Sequence, residues 1–131
     1  MAKKLMVISL LFFLAGVMIS CTTSTSVDGA SLETGYEIDS DFSITSTQNT
    51  FKAGEYFYFS FFNNDDFGNE TITLQLIDAD SDELLFTTDY SVQKDWNIIA
   101  DEVIFNEPGK YKIAILINGN TRATQEVIIE D

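Results

Sequence analysis

The sequence predicts an all-β fold, one antiparallel β-sandwich of about seven short strands. Three observations carry that expectation. Apolar and polar residues alternate over short runs, as in Tyr56-Phe57-Tyr58-Phe59-Ser60-Phe61-Phe62, which is the period of a strand with one buried face. From Tyr36 onward no segment sustains an apolar repeat of 3.6 residues, so helices are not the framework. Turn-forming residues punctuate the runs about every 10–15 residues, the spacing of sandwiches and barrels.

The expected strands are 37–45, 55–62, 71–78, 83–92, 97–105, 110–118 and 122–130. In the second, Phe57, Phe59 and Phe61 share one face and are assigned to the core, leaving Tyr56 and Tyr58 on the other. Ile72, Leu74 and Leu76 line the third, and Leu84 and Phe86 follow after a turn. Tyr111, Ile113, Ile115 and Ile117 line the sixth. Asn118-Gly119-Asn120 then separates two apolar runs, which is hairpin chemistry. Trp96, just ahead of the fifth strand, is expected in the core.

The stretch from Val103 to Ile115 reads VIFNEPGKYKIAI. Pro108-Gly109 can turn the chain between sheets, and Tyr111 can bury its ring while its hydroxyl bonds back to the corner backbone. This pattern resembles the corner between the fifth and sixth strands of bacterial immunoglobulin-like and polycystic-kidney-disease-type domains. There an aromatic precedes a Pro-Gly turn, followed by Tyr and alternating aliphatics. Phe51-Lys52-Ala53-Gly54-Glu55 resembles the approach to the second strand of such domains. The resemblance implies an immunoglobulin-like sandwich over residues 36–131. Its motifs concern folding and name no ligand.

Ahead of the domain, Met1-Ala2-Lys3-Lys4 is a short basic stretch and Leu5 to Ile19 is apolar apart from Ser9 and Gly16. Fifteen residues fall short of the ~20 that span a bilayer as a helix. The arrangement is that of a secretory signal, 1–20. Met18-Ile19-Ser20-Cys21 resembles a bacterial lipobox, which implies that Cys21 is lipidated and becomes the mature N-terminus. Met18 departs from the more usual Leu. Two alternatives for Cys21 are a disulfide, for which the chain has no second Cys, and the end of an uncleaved anchor. Thr22 in place of Asp allows onward transport to the outer membrane in Gram-negative families with this pattern. Residues 21–35, rich in Ser, Thr and Gly, read as a lipidated Cys and flexible tether reaching about 20 Å as a coil. An edge strand over Leu32 to Gly35 is the alternative.

Composition narrows function. Of 131 residues, 45% are hydrophobic, enough for a core, while 7 basic side chains face 21 acidic ones for a net charge of −14. Removing 1–20 takes Lys3 and Lys4 and leaves −16, so acyl chains rather than headgroup charge would hold the body at a membrane. Such a chain repels nucleic acid. With no His and one Cys, Ser-His-Asp and Cys-His catalysis are impossible. Paired carboxylates could serve glycoside hydrolysis, yet a sandwich of this size without insertions offers no cleft for it.

Three candidate sites remain, each beside a plainer reading. Asp78, Asp80 and Asp82 alternate like the start of a Ca²⁺ loop. Glu83 stands where such a loop needs Gly, so an acidic hairpin turn is the favoured alternative and a weak Ca²⁺ site the other. Phe67, in the loop 63–70, is either a binding aromatic or a cap on the core. Tyr56 and Tyr58 either contact a glycan or protein or merely pair across strands. No other cofactor is expected. The expectation is a non-catalytic binding or adhesion module of the cell envelope, anchored by its N-terminal lipid, with an envelope or extracellular protein or glycan as partner. A structural or accessory subunit of an envelope complex is the second reading, and a protease inhibitor the third.

Overall fold

A computed structural model describes residues 23–131; the signal segment and Cys21 lie outside the described residues. Nine strands follow in order: β1 (Ser24–Ser26), β2 (Ala30–Gly35), β3 (Thr50–Lys52), β4 (Phe57–Asn63), β5 (Ile72–Asp78), β6 (Leu84–Tyr90), β7 (Ile98–Val103), β8 (Gly109–Ile117) and β9 (Asn120–Glu130). They form two facing sheets. The larger has the order β1-β9-β8-β5-β6, with β3 also on β9, and the smaller is β2-β4-β7. All pairings are antiparallel except that of β3 with β9. The fold is an all-β sandwich.

The alternation in the Phe-rich strand sets the core. Phe57, Phe59 and Phe61 are fully buried, facing Ile72, Ile113, Ile115 and Val127 of the larger sheet. At one end the rings form a continuous column. Tyr36 meets Phe51 edge-on at 5.0 Å, Phe51 stacks on Phe57 at 3.9 Å, and Phe105 packs between Phe57 at 6.2 Å and Tyr111 at 4.1 Å. Each end is tethered by a hydroxyl. Tyr111 donates to the Glu107 carbonyl at 2.7 Å, closing the turn through Pro108-Gly109, and the Tyr36 hydroxyl accepts the Lys52 N–H at 3.0 Å. Across the molecule, Asn118 (φ 51°) and Gly119 (φ 81°) make the two-residue turn of the β8–β9 hairpin, with both residues in the left-handed region that such turns demand.

The structure corrects four expectations. No strand occupies 37–45: the Asp39 carboxylate accepts the N–H groups of Asp41 and Ser43, winding the segment into a tight loop with only the bridge Ile38–Ile44. The expected tether instead supplies β1 and β2, because its Ser and Thr residues find open edges of β9 and β4. Pairing of Thr23 with Glu126, through backbone and side chain, starts that order at the first described residue. Thr50–Lys52 forms a short strand, β3, that the sequence pattern did not show. Leu84, Leu85 and Phe86 are exposed, and Trp96 is 43% exposed rather than in the core.

Two outcomes follow from this packing. Phe57→Ala lowers the unfolding free energy by about 3–5 kcal/mol through lost burial and the cavity left behind, whereas Tyr111→Phe costs about 1 kcal/mol for its single hydrogen bond; urea unfolding measures both. The Thr23 hydroxyl holds the Glu126 carboxyl below its usual value, with Lys110 at 3.2 Å helping and burial opposing. A depressed carboxyl adds stability that is present above its unfolded value and lost as pH falls through the folded one. Glu126→Gln is therefore less stable than the native chain at neutral pH, and the difference closes as pH drops below about 4.5, the unfolded value, in parallel melts.

Candidate functional site

The two sheets differ in width, and the difference creates the site. The smaller sheet ends at β7, while β6 of the larger sheet lies beyond it. The register of β6 on β5 places Phe86, Thr88 and Tyr90 opposite Leu76, Leu74 and Ile72, so all three β6 residues belong to the inward face. With no strand above it, Phe86 is nonetheless 51% exposed. A groove runs along this open side between β6 and β7.

Its lower part is a cavity of about 680 Å³ whose walls include Leu76, Leu85, Phe86, Val103 and Phe105. Its upper part, of about 380 Å³, wraps the start of β7 between Phe42, Tyr90, Val92, Trp96 and Ile98. Tyr90 lines both, and its hydroxyl donates to Asp101 Oδ2 at 2.9 Å, a strut across the gap. Burial first, then the bond to Asp101, pushes the Tyr90 hydroxyl pKa far up, so it stays a donor at any physiological pH.

The rim is built, not merely left bare. Phe42 adopts φ 65°, a conformation that costs a bulky residue of order 1–3 kcal/mol and persists only where neighbours impose it. Here the Asp39 turn fixes it from one side: the Phe42 N–H donates to the Asp39 carbonyl at 3.1 Å. From the other, Ser60 Oγ donates to the Phe42 carbonyl at 2.6 Å. Gly35 is needed beneath this loop, since a Cβ there would sit 2.6 Å from the Ser46 carbonyl oxygen. The outcome is a Phe ring 54% exposed on a cavity that Trp96 also lines. Phe42 and Asp101 were not singled out in the sequence, and Phe86 was read there as lining the core. Two signals were present: Leu84-Leu85-Phe86 breaks alternation, and Asp101 interrupts the apolar face Ile99–Val103.

The residues singled out beforehand lie elsewhere. Tyr56 is exposed, and Tyr58 is half-buried with its hydroxyl donating to Glu102 Oε1 at 3.1 Å. Phe67 is fully buried and stacked over Phe61 at 6.2 Å, capping the core and offering no surface to a partner. Asp78 turns its Oδ1 to the N–H groups of Asp80 and Ser81, at 2.9 and 3.2 Å, and Asp82 (φ 60°) pairs with Lys112 at 3.5 Å. These are the contacts of an acidic turn. Among the described residues no three carboxylates or thiols converge as a metal site would require.

Because Asp78 and Asp82 already have backbone and lysine partners, Ca²⁺ is expected to raise the melting temperature no more than Mg²⁺ does at matched ionic strength. A real site saturated a hundredfold would add about 2.7 kcal/mol, a shift on the order of 10 °C that differential scanning fluorimetry reads directly.

The soluble domain of PmoD from Methylocystis sp. strain Rockwell has a similar structure, with a TM-score of 0.52, 12% sequence identity, and coverage of 82% of this chain and 96% of that one. At this identity the likeness speaks for the sandwich fold alone. No family model and no curated protein matches the sequence.

Proposed function

We propose that this chain is a lipid-anchored, non-catalytic binding module of the bacterial cell envelope, of immunoglobulin-like type, and that the groove between β6 and β7 is its binding surface. The observation that carries the reading is the built, exposed aromatic rim, Phe42 and Trp96 above and Phe86 below, on an otherwise well-packed sandwich. Large apolar patches of this kind mark interaction sites. Placement supports it. The groove lies on the edge opposite β1, and β1 is where the chain arrives from Cys21. Three residue steps from Cys21 to Ser24 span at most about 11 Å, far less reach than a fourteen-residue coil. A lipid on Cys21 thus holds the β1 edge against the bilayer and leaves the groove facing away. The second reading, an accessory subunit of an envelope complex, is favoured by one further observation: both strands that border the groove are sheet edges.

Two experiments test the proposal in cells. Cys21→Ser is expected to abolish acyl labelling and release the protein from the membrane fraction. A photo-crosslinking residue at Trp96 or Phe86 is expected to yield a discrete adduct that excess native protein suppresses and a Phe86→Asp variant does not. The same probe at Glu33, on the opposite edge of the smaller sheet, yields none. Adducts at Glu33 alone would overturn the groove as the binding surface.

A further inference from the structure

The smaller sheet has three strands against five along the larger one, and it ends at β7, short of β6. We propose that the open edge of β7 accepts an added β-strand from a partner protein, an extended segment in which apolar residues alternate with Lys or Arg. The inference rests on the reading of this chain as a binding module and names the partner's chemistry.

The backbone of β7 is poised for it. The Asn63 N–H donates to the Asn97 carbonyl at 2.8 Å, which makes that pair a hydrogen-bonded one. Alternation along the β4–β7 register then turns the N–H and C=O groups of Ile98, Ala100 and Glu102 to the open side. Asp101 guards this edge. Its Oδ1 accepts the Glu102 N–H at 2.8 Å while Oδ2 accepts the Tyr90 hydroxyl. An inward-facing charge on an edge strand is a known protection against unwanted pairing, and one carboxylate rotation would free the edge.

Geometry and charge define the occupant. A strand laid about 4.8 Å beyond β7 falls over the inward face of β6. Its apolar side chains would then meet Phe86 and Leu76 on the inward side, and its basic ones would lie beside Glu102, Phe42 and Trp96 on the outer side. The groove lining holds Asp95, Asp101, Glu102 and Glu107 and no Lys or Arg, so a basic strand is matched and an acidic one repelled. That argues against a second copy of this chain, which carries a net charge of −14.

The test uses the full chain in lipid nanodiscs and two synthetic eight-residue probes, one alternating Val and Lys and one alternating Val and Glu. Amide hydrogen exchange is followed by mass spectrometry. At ten times its dissociation constant, the Val-Lys peptide is expected to slow exchange over 98–102 roughly tenfold by mass action. Added salt weakens that protection, and the Val-Glu peptide gives none. Glu102→Pro removes an N–H that is not part of the β4 ladder, a change edge strands tolerate, and is expected to abolish protection. Glu102→Gln retains it. Protection confined to other elements, equal binding of both peptides, or concentration-dependent protection of β7 without peptide would each overturn the inference. The crosslinks at Trp96 and Phe86 judge the binding-module reading separately, so either can fail alone.

Discussion

The stacked column from Tyr36 through Phe51, Phe57 and Phe105 to Tyr111 is the contact on which this sandwich depends. It joins the loop after β2, the strands β3, β4 and β8, and the segment after β7, binding both sheets at one end. Aromatic pairs of this kind contribute about 0.5–1.5 kcal/mol each beyond their burial. Their larger role is register. Because Phe51 must meet Phe57, the chain has to leave the smaller sheet at Gly35, cross over, and dock beside β9. That crossing carries the loop with Phe42, so the rim of the groove is built on the same segment that closes the core.

Much of the fold was legible in the sequence where local chemistry decides it. The alternation Phe57-Phe59-Phe61 fixed the buried face, the Pro108-Gly109-Lys110-Tyr111 corner formed with its hydroxyl tie, and Asn118-Gly119 made its hairpin. What could not be read was set by neighbours distant in sequence. Ser24 to Ser26 becomes a strand because β9 offers it an edge. The inward side of Phe86 is bare because the facing sheet stops at β7. Trp96 is exposed for a similar reason, lying at the open side. Periodicity reports which face a side chain occupies, and cannot report whether another strand lies over that face.

Charge and shape divide the surface between them. Among the described residues, the ion pairs of Lys110 with Glu126 and of Lys112 with Asp82 lie on the larger sheet and its acidic turn, while the groove collects carboxylates around apolar walls. General acidity keeps such a body soluble. Around the groove it also disfavours edge-to-edge pairing between like copies, adding to the protection that Asp101 gives β7.

The shortness of β1 has a mechanical consequence. Its three residues pair with β9 at Ser24, Thr25 and Ser26, while β2 is held by six partners on β4. Were Cys21 lipidated as proposed, a pull applied through the groove would be borne first by that short seam, which hydrogen bonds of Thr23 with Glu126 and of Val27 with Arg122 extend at its ends. Once it parts, the six residues from Ser24 to Gly29 would pay out as slack, lengthening the leash by up to about 21 Å while the sandwich itself stays folded. The domain would sit close to the membrane at rest and extend under load.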